Sequence, residues 1–247
     1  MEANGKLLLV SDLEGCNLYG PPPQRAFQSQ VICGQEFFDA IGVFLADKNN
    51  KVAFLGDYFD QGPLVVDSIN RIVELEKRFT SQVIIILGNR DINKLRLIYE
   101  LRPEIQVSEE EKWGLWGPFY EEVQKTVPIK ERLKVILNKS MGAPASIPQM
   151  DPALNDDEAA YLLLRAFSKP VADSLINAAD SAKKLEADPK YTLFIKSVRR
   201  LFQIGKIVVY DSDFKTLLSH AGGAEPFLLH NTTYYESIKA NINRIGA

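Results

Sequence analysis

The sequence predicts an α/β (α+β) fold: a sheet with helices on its faces, interrupted by a long helical segment. Three observations predict it. Short apolar runs alternate with helical periodicity from Lys6 to Leu101. Residues 104–205 then keep helical spacing with no convincing strand. Strand character returns from Lys206 to Ser219.

Residues 6–11 (KLLLVS) form an apolar run that ends in a polar turn, the pattern of a buried strand, and 51–55 (KVAFL) and 82–87 (QVIIIL) repeat it. Between the first two runs, residues 35–47 put Phe37, Phe38, Ile41, Phe44 and Leu45 on one helical face. Pro63 opens a second helix, where a missing N–H costs nothing, with Val65, Ile69, Ile72 and Val73 turned inward. A third helix runs from about Asp91 to Leu101 and stops before Pro103. In the middle, 119–138, 156–185 and 191–202 read as helices, the second kinked or broken at Pro170. Residues 206–210 and 214–219 are strands joined by the turn Asp211-Ser212-Asp213, and 231–245 is a closing helix. The expected organisation is a core of 1–103 and 206–247 with a helical insertion, 104–205, between its halves.

Composition excludes several classes of function. With 29 Lys+Arg against 32 Asp+Glu, the formal charge of −3 shows no basic excess of the kind that points to nucleic acid or a membrane surface. The longest aliphatic run, VIIIL at 83–87, is far short of the roughly 20 residues that span a bilayer. The first residues lack a secretory signal pattern, and Cys16 and Cys33 make neither a disulfide framework nor a zinc spacing. A cytoplasmic protein is expected, and delivery into a host cell is compatible with the same features. Cys16 adjoins Glu14 without a basic neighbour, so it reads as structural, not nucleophilic.

Each strand ends in a polar, glycine-containing cluster: Ser11-Asp12-Leu13-Glu14-Gly15, then GDYFDQG (56–62), then Gly88-Asn89-Arg90-Asp91, then Ser219-His220-Ala221-Gly222-Gly223. In an open α/β sheet the carboxyl ends of the strands converge on one crevice. Asp12, Glu14, Asp57, Asn89 and His220 would therefore share a space, and oxygen-rich donors with one imidazole suit divalent cations. Taken singly, an aspartate or Asn89 here reads more readily as a turn or helix cap, and His220 as a core histidine, than as a ligand.

The order of these clusters resembles the calcineurin-like metallophosphoesterases, nearest the branch of Ser/Thr phosphoprotein phosphatases and symmetrical diadenosine tetraphosphate hydrolases. GDYFDQG, LGNRD and SHAGG carry the resemblance, which covers about 6–101 and 206–223 and omits the helical middle. It implies a β-sandwich flanked by helices around two divalent cations, Mn²⁺ or Mg²⁺ for this donor set. By that resemblance Asp12 binds the first metal, Asp57 bridges both, and Asn89 and His220 bind the second. A metal-bridging hydroxide would then attack phosphorus in line, without a covalent phosphoenzyme.

The chain departs from the family pattern at four places. Glu14 stands for a metal-binding histidine, which adds negative charge and hardens the site. Arg90 stands for the histidine that protonates the leaving group; it cannot donate that proton at neutral pH but can hold phosphate oxygens in a bidentate grip. Asp91, which orients that histidine in the family, would pair with Arg90, so Arg90 and Asp91 are the candidate catalytic residues. Gln61 replaces a phosphate-binding arginine, leaving Arg90 and Gln61 as substrate-binding candidates. The family's late Gly-His motif is missing: either the chain ends before it, or His230 substitutes, or the second metal is less fully ligated.

The leading expectation is a metal-dependent phosphatase acting on phosphoproteins or small phosphoesters. A dinucleoside polyphosphate or nucleotide hydrolase is one alternative, and a catalytically impaired binding module or effector is another. The helical insertion is a natural place for a protein partner, with Tyr120, Tyr161, Arg165, Arg199 and Arg200 as contact candidates. No nucleic-acid or membrane partner is expected.

Overall fold

A computed structural model describes residues 5–13, 34–60, 62–101, 127–175 and 178–220. Strands β1 (Leu7–Val10), β2 (Lys51–Phe54) and β3 (Val83–Ile85) form a parallel sheet in the order β1-β2-β3. Leu7 pairs with Lys51 and Val52 with Val83. On the far side of β3 the chain returns late. Lys206 accepts from the Leu87 amide at 2.7 Å and donates to the Ile85 carbonyl at 3.0 Å. The antiparallel hairpin of β4 (Val208–Asp211) and β5 (Thr216–Ser219) follows at once.

Side chains alternate across the sheet with the period of two that a pleated strand imposes. Val52, Phe54, Val83, Ile85 and Leu87 face the core shared with the helices. Ala53 and Ile86 face the other way and meet Leu218 of the hairpin. Helices were expected on both faces. Among the described residues, buried helical side chains pack on one face alone, and the hairpin covers the other. Ala53 is small there, and Leu218 of the hairpin is the side chain buried against it and Ile86, while Leu9 on the same face stays half exposed.

Within the described residues the predicted helices form with shifted ends; the start of the helix expected at 119–138 lies outside them. Helix α1 (Gln35–Phe44) buries Phe38 and Ile41, and α2 (Val65–Arg78) starts just after Pro63 and ends in Lys77 and Arg78, which suit its negative C-terminal pole. The expected helix from Asp91 to Leu101 is two pieces, α3 (Asn89–Lys94) and α4 (Leu97–Glu100). Tighter bonds from Leu95 to Ile92 and from Arg96 to Asn93 pinch the chain between them. Helix α5 (Ile129–Val135) widens into a π turn at Ile136–Ser140.

The segment 156–185 is broken, not kinked. Helix α6 (Asp156–Phe167) begins at a full capping box of Asn155 and Glu158. Ser168 is extended, and Pro170 then falls in the first turn of α7 (Lys169–Asp173). Helices α8 (Ala178–Ala187) and α9 (Pro189–Ile204) complete the set. Arg200 of α9 grips Glu76 of α2 at 2.7 and 3.2 Å, and Lys190 bonds Asp67 at 3.1 Å. Phe59 lies against Phe167 and Phe202 at 5.9 and 6.4 Å between ring centres, so the loop after β2 and helices α6 and α9 share one cluster. The expected closing helix at 231–245 lies outside the described residues.

Candidate metal centre

Parallel strands end at the same edge of a sheet, so whatever follows β1 and β2 is brought side by side. An aspartate follows each in the left-handed conformation, Asp12 at φ 51° and Asp57 at φ 54°. Aspartate tolerates this region better than most residues. Gly56, just before Asp57, has φ 101°, and a Cβ there would lie 2.3 Å from the Gly88 nitrogen. A Cβ on Gly88 would come within 2.1 Å of Asp57 Oδ1. The two glycines thus let the loops after β2 and β3 interlock.

Asp91 locks that junction from beneath. It is fully buried; its Oδ2 accepts the amides of Gly88 (2.8 Å) and Asp57 (2.9 Å), and its Oδ1 accepts the amide of Tyr58 (2.9 Å). Burial pushes its pKa up to about 8 against the pull of those amides. The sequence suggested Asp91 as a partner for Arg90. Its place in the structure is under the turn, where it acts on the site by fixing Asp57. The Tyr58 hydroxyl ties the same loop to the sheet through the carbonyls of Phe54 (3.0 Å) and Ile86 (2.7 Å).

From the hairpin, His220 completes the cluster. Its Nδ1 is 2.7 Å from the Leu55 carbonyl, which makes Nδ1 the N–H donor and leaves Nε2 facing the site. Nε2 lies 3.1 Å from Asn89 Oδ1 and 3.3 Å from Asp57 Oδ2. Ligand atoms of Asp12, Asp57 and His220 all lie within 4.8 Å of one another. Octahedral bonds of about 2.1 Å would put neighbouring donors roughly 3.0 Å apart, so the Nε2 contacts to Asn89 and Asp57 have the spacing of donors around a hard divalent cation. Burial holds the Asp57 carboxyl above its usual range, the condition in which a bound cation is most useful to it.

Arg90 lies beside the donors. Its amide donates to Asp57 Oδ1 at 3.1 Å, and its Nε is 3.5 Å from Asp57 Oδ2. Nη1 is 3.9 Å from Asp60 Oδ2 and 3.5 Å from the Gly142 carbonyl.

Behind it is a group that the sequence did not reveal. Asp60 is 2% exposed and sits at φ 104°, a strained angle for a residue with a side chain. Lys94 holds it at 2.6 Å, both side chains being fully buried, and the Ser146 hydroxyl also donates to it. Burial pulls the Lys94 ammonium below its ordinary range, while Asp60 opposes that shift. Gly142 and Ser146 belong to the turn after α5, so the helical middle contributes directly to the wall of the site.

Asp12, Asp57, Asn89 and His220 are thus brought together, with Arg90 adjacent. Glu14, Gln61, Cys16, Tyr120 and His230 lie outside the described residues. Tyr161 is 2% exposed and belongs to the core, not to a contact surface, and Arg200 is committed to Glu76.

Asp12, Asp57 and His220 at the carboxyl edge of the parallel sheet thus form a group that could hold a metal ion. The sequence profile of the calcineurin-like phosphoesterases matches residues 5–194, most of the chain, and the protein belongs to that family of metal-dependent hydrolases. The match runs on into the helical middle, which the strand-end motifs omit, and stops before β4, β5 and His220. No curated protein and no solved structure matches the chain. Among the described residues no helix is long and apolar enough to cross a membrane.

Proposed function

We propose that the protein hydrolyses phosphomonoesters, with phosphorylated proteins as the substrate class. The observation that carries this reading is the convergence of Asp12, Asp57, Asn89 and His220 with the Arg90 guanidinium in a member of the phosphoesterase family. Those four side chains would hold the metal, and the oxygen-rich set favours Mn²⁺ or Mg²⁺. Divalent metal, when bound, supplies Lewis acidity toward the phosphoryl group and lowers the pKa of the attacking water.

The chain's own residues do the rest. Asp91 holds the backbone that presents Asp57. His220 is kept in one tautomer by Leu55. Arg90, one edge of which faces Asp57, orients phosphate oxygens and neutralises charge that builds on them. Arginine cannot protonate a leaving group at neutral pH, so phenolic or other good leaving groups are turned over best. The helical middle, whose Gly142 and Ser146 border the site, supports a role in choosing the substrate or binding a protein partner.

The test is a comparison of phosphotyrosine and phosphoserine peptides with diadenosine tetraphosphate, each with Mn²⁺. Turnover of phosphopeptides, phosphotyrosine first, is expected. Preference for the dinucleotide would replace this substrate class with a nucleotide one, and turnover of none would point to a binding module.

A further inference from the structure

Among the described arginines, all but two have a partner. Arg71, Arg96 and Arg200 hold carboxylates, Arg90 faces Asp57, Arg132 donates to the Glu100 carbonyl, and Arg78 lies over the Phe79 ring. Arg165 of α6 and Arg199 of α9 are half-buried, yet among the described residues neither has a hydrogen bond or an ion pair. The two helices pack together, with Phe167 and Phe202 edge to face at 5.4 Å between ring centres. Burial lowers the Arg199 pKa, and the charge of Arg165 lowers it further, so the two guanidiniums feel each other. The negative pole at the end of α6 attracts Arg165, but Arg199 lies in the body of α9 and has no such pole. Two like charges half out of water without a counterion are costly to keep.

A third group nearby also lacks a partner. Tyr161 lies one turn before Arg165 on the same side of α6 and is 2% exposed, and its hydroxyl has no hydrogen bond among the described residues. A buried tyrosine hydroxyl ordinarily finds one. Burial raises its pKa, Asp173 adds to the rise, and Arg165 opposes it. Asp173 is itself paired with Lys169. We propose that Arg165, Arg199 and the Tyr161 hydroxyl form a binding site for a phosphate group, on elements other than those that carry the metal-site donors. A phosphate dianion cancels both guanidinium charges, offers each a bidentate edge, and has an oxygen left to accept from the hydroxyl. A carboxylate has one charge and two oxygens, which leaves one guanidinium uncompensated. The phosphate is a free ion or a phosphorylated side chain of a protein, since the recognition chemistry is the same. The inference does not depend on the metal-dependent reading given above.

The test is thermal melting of the 247-residue chain in chelator, with inorganic phosphate replacing chloride at constant ionic strength. The wild type is expected to melt higher in phosphate. Arg165→Gln and Arg199→Gln are expected to melt no lower than the wild type in chloride, because each removes a half-buried charge without a partner, and to lose the rise in phosphate. Titration calorimetry is expected to show phosphate affinity about 10-fold weaker or more in either variant. Arg90→Gln is expected to keep both the rise and the affinity. An equal rise in all four proteins would mark a general salt effect and overturn the proposal. No rise in the wild type, or a rise lost only in Arg90→Gln, would overturn it as well, and acetate that protects as well as phosphate would overturn the assignment to phosphate. In the Arg90→Gln protein, a phosphoserine peptide that displaces phosphate assigns the site to a phosphorylated protein, and a peptide that leaves phosphate in place assigns it to the free ion.

Discussion

At Lys94 and Asp91 the site depends on residues that never touch a ligand. Lys94 is the counterion of a fully buried carboxylate in a strained loop. Lys94→Met leaves Asp60 uncompensated, and a loss of about 3–5 kcal/mol is expected from breaking such a pair, measured by urea unfolding. Asp91→Asn leaves two carboxylate oxygens replaced by one carbonyl and an amide that cannot accept. At least one of the buried amides of Gly88, Asp57 and Tyr58 loses its partner, at about 1–3 kcal/mol, and Mn²⁺ affinity is expected to fall roughly 10–100-fold because Asp57 is no longer held. Titration calorimetry reads that change. Asp12, Asp57, Asn89 and His220 were legible in the sequence because each follows a strand, and strand order gives proximity. Lys94, Gly142 and Ser146 were not, since a polar residue inside a short helix or a distant turn carries no mark of the partner it will meet. Asp91 did carry one: it is the third residue of α3, where a side chain reaches back to the residue before the helix. That mark was hidden because the helix was expected to begin at Asp91 and not at Asn89.

The hairpin is the element that delivers His220, and it is clamped to β2 by charge. Lys51 bonds Asp211 and Asp213 at 2.6 and 2.7 Å. Burial would raise the Asp211 carboxyl, but the bond from Lys51 and the amides of Phe214 and Asp213 outweigh it and hold the pKa below its ordinary 3.8. Burial likewise works against the Lys51 ammonium, and the two carboxylates raise it above 10.5 all the same. The signs follow from linkage. Asp211 binds its proton less readily when folded, so its contribution is present above pH 3.8 and is lost as pH falls through the lowered value. Lys51 contributes fully below pH 10.5 and loses its share above it. Lys51→Met is therefore expected to flatten the acid limb of stability below about pH 4, a change that thermal melts across pH record. Strands and their order were readable from apolar runs bounded by turns. The split of α3 from α4 was not, because both pieces keep one helical periodicity and the pinch lies in the backbone.

Taken whole, the described chain has one main apolar cluster, to which the sheet, α1, α2 and the helices between 129 and 204 all contribute. The rings of Phe59, Phe167 and Phe202 join the loop after β2 to α6 and α9, with Phe167 and Phe202 5.4 Å apart and edge to face. Phe202→Ala is expected to cost about 3–5 kcal/mol and to lower the midpoint of one cooperative transition. Two transitions would show that the helical middle unfolds by itself. Sequence texture separated that middle from the strands, because its prolines and periodicity change at Glu104, but texture cannot show that α9 packs on α2. That contact is made by single residues such as Arg200 and Glu76, far apart along the chain. The claim on which the rest depends is that Asp57 and its neighbours make a working metal site. Its most direct test is hydrolysis of an aryl phosphate with Mn²⁺, Mg²⁺ or a chelator, with Asp57→Asn run alongside. Release that needs metal, stops with chelator and is lost in a folded Asp57→Asn protein is the expected result. Turnover unchanged by chelator or by that substitution would contradict it.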